Sequence, residues 1–222
     1  MKKVEQYFLS VEGYNEKWYF EHLQNLINNI DDENSHNVKF NIKIDKSPLS
    51  RRKSLTLPIW GRQKLNVFHI SDYESNNEEH IKNFQTILDE LKTIKTKYTD
   101  FDYKLGYSNF AFELWLILHK DKAQSPIEDR SRYIEKINTL YGTNFAKLKD
   151  SKDEVNFSKL LGQITLKDVI TAVKNARQIR QYQQDIGHSM VEYKGFKYYR
   201  ENPDLTVNEC VENILKECGI IK

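Results

Sequence analysis

Hydrophobic and polar positions change rhythm several times along this chain, and each change marks an element. Val4 to Val11 reads as a buried strand,. Gly13 then frees the backbone to turn, and Asn15 can cap a helix whose first turn carries Glu16,. Tyr19, Leu23, Leu26, Ile27 and Ile30 repeat at helical spacing,. After the polar stretch Asp31 to Asn37, Val38, Phe40, Ile42 and Ile44 alternate with polar residues as in a half-buried strand,. A third strand is expected over Leu65 to Ile70. The next helix is capped by Asn76 with Glu79 and carries Ile81, Phe84, Leu88, Leu91, Ile94 and Tyr98 on one face,. Tyr103, Leu105 and Tyr107 alternate as a fourth strand, and Ser108-Asn109 caps an apolar helix from Phe110 to His119,.

This order, strand, helix, strand, strand, helix, strand, helix, predicts an α/β layered fold with an at least partly parallel sheet of about four strands. The later chain changes character. Ile127 to Tyr141, Leu166 to Tyr182 and Val207 to Cys218 read as helices, with capping-box spacing at Thr165/Asp168 and Thr206/Glu209,. Tyr193 to Tyr199 is either a short strand or an aromatic loop. The division expected is an α/β core over 1–122 and a helical C-terminal region over 123–222 packed on it.

Composition narrows the class. The chain has 222 residues, 39% hydrophobic and 12% aromatic, enough for a real core and against disorder,. Net charge is only +2, so any basic footprint for nucleic acid must be local,. Residues 46–71 supply one: Lys46, Arg51, Arg52, Lys53, Arg62 and Lys64, with no acid among them. That stretch can track a phosphate backbone or stand as a solvated loop. Met1-Lys2-Lys3 leads into a strand and does not read as a signal peptide,. Phe110 to Leu118, the longest apolar stretch, is about half the length of a membrane span. Cys210 and Cys218 lie too far apart on one helix to bridge each other,. A cytoplasmic protein with free thiols and no membrane partner is the expectation.

The candidate chemistry sits at strand ends. Glu12 closes the first strand; Asp72-Tyr73-Glu74 closes the third. Ligands and metals bind at the carboxyl ends of parallel strands, and carboxylates gathered there attract a hard cation such as Mg2+ or Mn2+. If the segment stays extended, Asp72 and Glu74 share a face. Glu16 can join the site or serve only as a first-turn helix charge. Glu113 is an acid among apolar neighbours and needs a partner if buried. His119 reads as a helix C-terminal histidine rather than a ligand. Lys174, Arg177 and Arg180 form a basic helix face.

Val11-Glu12-Gly13-Tyr14-Asn15-Glu16-Lys17-Trp18-Tyr19-Phe20 resembles the Glu-Gly-x-x-Thr-Glu-x-x-Tyr-Phe opening of RloB-like proteins. Ser108 to His119 resembles their Ser-Asn-Pro-x-Phe-Glu-x-Trp-x-Leu-x-His signature. Asp168 to Arg177 and Asn202 to Val207 are similar to two further family segments. The resemblance implies a Toprim-like core, an α/β metal-binding fold, and a role in AbiL-type abortive infection beside an AAA/ABC-type ATPase. It implies a Mg2+-dependent nuclease in which Glu12 is acid/base or ligand, Asp72 and Glu74 hold the metal, and Glu16, Ser108, Asn109 and Glu113 support them. Arg51, Arg52, Lys53 and Arg62 would contact the DNA or RNA substrate. Asn15 and Phe110 depart from the family's threonine and proline, and Glu74 stands where the family has aspartate. The other reading is a non-catalytic Toprim-like sensor or regulator of the ATPase.

Overall fold

The computed structural model describes residues 2–49, 64–123, 131–146, 150 and 153–222. The chain begins β1 (Val4–Val11), α1 (Tyr14–Asn28), β2 (Asn37–Ile44), β3 (Leu65–Asp72), α2 (Glu78–Lys97), β4 (Phe101–Asn109) and α3 (Glu113–Leu118). It continues α4 (Ser131–Tyr141), α5 (Glu154–Leu161), α6 (Leu166–Asp185), β5 (Val191–Tyr193), β6 (Phe196–Tyr198), β7 (Asp204–Leu205) and α7 (Val207–Glu217). The main sheet has the order β2-β1-β3-β4-β7. Its first four strands are parallel, and β7 pairs antiparallel with Ser108 and Asn109. This is the expected α/β class, with one strand more than the hydrophobic pattern suggests.

Parallel strands need both faces covered, which is why successive residues such as Tyr7, Phe8 and Leu9 of β1 and Val67 and Phe68 of β3 are all buried,. Tyr7, Leu9 and Val11 enter one core cluster with Phe68 and Ile70, against α1, α3, α6 and α7. Phe8 and Val67 enter the other, against Phe84, Leu88 and Leu91 of α2. Residues of α4, α5 and α6 belong to the same cluster as β1 and α1. At the edge, β2 does not keep the expected burial alternation: Val38 is buried, the middle of the strand is half-buried and Ile44 is exposed at its end.

Several local expectations are corrected. α1 starts two residues earlier than expected, after an extended Gly13; Asn15 is its second residue, buried and turned inward instead of capping. The cap of α2 is Asn77, which accepts from His80 N–H, while Asn76 accepts from the Tyr73 hydroxyl. Ser108 and Asn109 belong to β4, and the apolar helix begins only at Glu113, without a side-chain cap. Thr165 and Asp168 do form a capping box, but Thr206 gives α7 no side-chain cap because its hydroxyl serves β4 instead. α5 was not anticipated. The 193–199 segment is part of a two-stranded hairpin of β5 and β6. The beginning of the helix expected from Ile127, and the basic residues Arg51, Arg52, Lys53 and Arg62, lie outside the described residues.

Candidate active site at the carboxyl end of the sheet

The register of β1 on β3 pairs Val11 with Ile70, so the next step sets Glu12 beside Ser71. Glu12 Oε1 accepts from the Ser71 hydroxyl at 2.6 Å and from Asp72 N–H at 3.2 Å. Two hydrogen bonds thus join the two strand ends that carry the expected acids. β2 ends next to β1, with Val11 opposite Ile44. Lys46, two residues on, therefore reaches the same corner.

Glu12, Glu16, Asp72, Glu74 and Glu113 line one cavity of about 170 Å³ with Gly13, Tyr14, Asn15 and Lys46. Glu113 is buried and accepts from Asn15 Nδ2 at 3.4 Å, tying α3 to the start of α1. Glu12, Lys46, Asp72 and Glu74 also line a larger cavity of about 400 Å³ that runs along α2 past His80, Asn83 and Ile87. The three expected catalytic acids and the supporting Glu16 and Glu113 are therefore brought together.

Glu74 reaches the cavity by a different path from the one expected. Its φ is 63°, so the extended backbone stops before it and the alternation with Asp72 is broken,. Its N–H donates to Phe110 O at 3.0 Å, and its carboxylate pairs with His80 Nε2 at 3.0 Å. The other ring nitrogen of His80 bonds the Ser75 hydroxyl at 2.8 Å.

Ser108 and Asn109 act differently from each other. Ser108 stands opposite Asp72 in register, on the same face of the sheet. Its hydroxyl is buried and, among the described residues, has no hydrogen-bond partner. Asn109 turns away from the cavity. Its Nδ2 donates to the carbonyls of Tyr199, Arg200 and Glu201 at 2.9–3.3 Å, and its own carbonyl accepts from the Tyr133 hydroxyl at 2.9 Å. It fastens the C-terminal segment to the strand end that carries the site. His119 is a packing residue, as expected. Its Nδ1 donates to Trp115 O at 2.8 Å, its Nε2 accepts from the Tyr19 hydroxyl at 3.1 Å, and burial pushes it down to about 4, hence neutral.

Electrostatics single out Glu12. Burial pushes its carboxyl above the ordinary carboxylate value, and the charge of Glu74 adds to this. Hydrogen bonds from Ser71 and Asp72 and the charge of Lys46 act the other way. A carboxyl raised by burial in a cleft keeps its proton to higher pH than a solvated one, the direction that suits an acid/base catalyst.

Among the described residues, no three His, Cys, Asp or Glu side chains stand close enough to enclose a metal ion by themselves. The donor set nevertheless suits a hard cation. It is all oxygen, it carries excess negative charge, and the unpartnered Ser108 hydroxyl lies beside Asp72. Mg2+ is usually held by one or two carboxylates, several waters and substrate phosphate rather than by an all-protein cage.

Lys46, Ser71 and His80 are contributors that sequence reasoning did not assign to the site. Lys46 had a usable signal, since it follows a strand that neighbours β1. The roles of Ser71 and His80 depend on register and on the turn at Glu74.

The family model described as RloB-like protein matches residues 7–214. No curated protein and no solved structure matches the chain.

Proposed function

The chain belongs to the RloB-like family, and on that footing we propose that it is a divalent-metal-dependent nuclease. In this reading it hydrolyses phosphodiesters as the effector of a bacterial anti-phage abortive-infection system, under control of a partner ATPase. The observation that carries the chemistry is the convergence of five carboxylates on one cavity around Glu12. Asp72 and Glu74 would hold Mg2+ or Mn2+, with Glu12 adjacent. The bound ion supplies charge neutralisation at the phosphate and a more acidic water.

The protein's own groups divide the remaining work. Glu12 Oε1 is occupied by Ser71 and Asp72 N–H, which fixes the carboxyl and leaves Oε2 to exchange a proton with water or the leaving oxygen,. Lys46 offsets phosphate charge from the β2 side. Asn15 orients Glu113. The larger cavity along α2 gives an extended strand room to approach the acids. Arg51, Arg52, Lys53 and Arg62 precede β3 in the chain and are proposed to hold the nucleic-acid backbone.

The test is cleavage of labelled DNA, RNA and tRNA with Mg2+ or Mn2+, with and without the ATPase. Metal-dependent cleavage lost in Glu12→Gln and Asp72→Asn, both folded by thermal melts, is the expected result. Wild-type cleavage by the double variant sinks the assignment.

A second reading, a non-catalytic sensor or regulator of the ATPase, draws on the engagement of Glu74 with His80. It predicts metal or nucleic-acid binding that changes ATPase turnover, with no cleavage under any condition.

A further inference from the structure

Tyr14 opens α1 two residues after Glu12. Among the described residues it is the one aromatic side chain that stands exposed, with 56% of its surface open to solvent. A single exposed apolar side chain means little by itself; the place of this one decides its reading. Tyr14 lines the same cavity as Glu12, Asp72, Glu74 and Glu113. Gly13 between them is extended, so the Cα atoms of Glu12 and Tyr14 are no more than about 7 Å apart,.

The ring is braced from the core side. Trp18, one turn further along α1, has its ring centroid 5.4 Å from that of Tyr14 and its plane tilted by 34°. The i, i+4 spacing puts both rings on one face of the helix. Trp18 is half-buried and meets Phe157 of α5 at 5.7 Å and 42°. Phe157 is fully buried in the main core cluster. Three rings in contact thus run outward from the core and end in an exposed one beside the acids. A ring held in this way has little freedom left to lose on binding.

We infer that Tyr14 is a base-stacking platform and that the substrate is single-stranded nucleic acid. One base lies on Tyr14 while a neighbouring phosphate reaches the acids and their metal. The inference rests on the nuclease reading of that cavity and names its substrate class. Every base has a π-face, so a stack of this kind accepts any sequence. In a duplex those faces are already covered by neighbouring bases, and freeing one is costly. Lys46, on the same cavity, adds a cation for the backbone.

The test reads anisotropy of fluorescein-labelled oligodeoxythymidylate and oligouridylate with the full chain. Ca2+, another oxygen-seeking ion, replaces Mg2+ at the acids. At least one of the two strands should bind more tightly than a duplex of equal charge. Tyr14→Ala should weaken that binding roughly fivefold to a hundredfold, the range for losing one base–aromatic stack, and Tyr14→Phe should keep it. An abasic strand of equal charge should bind wild type more weakly than the intact strand does, and should bind wild type and Tyr14→Ala alike. A structural defect in the variant would weaken both strands. Absence of binding, duplex binding as tight as that of both single strands, equal binding by Tyr14→Ala, or an equal loss on intact and abasic strands overturns the inference. The nuclease reading fails separately. Base-dependent binding without cleavage in Mg2+ or Mn2+ keeps the platform and removes only the cleavage. Cleavage of single strands with KM unchanged in Tyr14→Ala keeps the nuclease and removes the platform.

Discussion

Ser71 donates its hydroxyl to Glu12 Oε1 at 2.6 Å, across the ends of two adjacent parallel strands. The bond places the carboxyl of one strand against the backbone of Asp72 on the next, so the two acids cannot move independently. It also works against the burial that raises the Glu12 carboxyl.

Glu12→Gln is expected to stabilise the metal-free protein at neutral pH. The raised Glu12 carboxyl means that the folded state holds this proton more tightly than the unfolded chain,. Its contribution to stability is complete below the ordinary carboxylate value and is lost as pH rises through the elevated one. Gln keeps the acceptor oxygen and carries no charge, so the melting temperature should rise by roughly 2–4 °C for each kcal/mol recovered. The gap between variant and wild type should close as pH falls. Thermal melts across a pH series check this, and a gap that widens in acid contradicts it.

Asp72→Asn should weaken Mn2+ binding by roughly a hundredfold, equivalent to about 2.8 kcal/mol. The swap preserves volume, so melting in chelator should hardly change. Calorimetric titration reads the affinity directly. An unaltered Mn2+ isotherm would remove Asp72 from the set of ligands.

Trp115→Ala should cost about 3–5 kcal/mol, a large share of a typical domain's stability. Trp115 is fully buried, edge-on to Tyr19 and His119, with ring centroids 6.1 and 5.0 Å away. Denaturant unfolding measures the loss. An unchanged midpoint would mean that α3 lies outside the cooperative unit.

Replacing Arg51, Arg52, Lys53 and Arg62 with Ala should weaken nucleic-acid binding whatever the base sequence. Each lost phosphate contact should flatten the plot of log affinity against log salt by about 0.7–0.9. Titrations of single- and double-stranded DNA and RNA at several salt concentrations test this. Identical slopes would assign the four residues to a protein partner or to solvent.

The sequence pattern exposed the framework because β1, β3 and the apolar face of α2 bury side chains at regular spacing. Glu12 and Asp72 were legible for the same reason, as polar residues that end apolar runs. What escaped depends on contacts remote in sequence. Asn15 has the composition of a cap, but Glu113 draws it inward. Thr206 and Glu209 have capping-box spacing, yet the Thr206 hydroxyl meets Leu105 instead. β7 has only two residues and no period to detect, and it owes its place to pairing with Ser108 and Asn109. Glu74 was picked out, but its conformation was not, because a positive φ at a glutamate leaves no mark in the local pattern.

The clasp between Asn109 and the carbonyls of residues 199–201 also bears on the order of synthesis. Every acid of the cavity has been added to the chain by residue 113, but the segment that braces the end of β4, residues 199–201, is made only later. A nascent chain therefore carries the acids before it has the frame that aligns them. For a protein whose proposed activity would endanger its own host, this delay confines full competence to chains translated past the clasp.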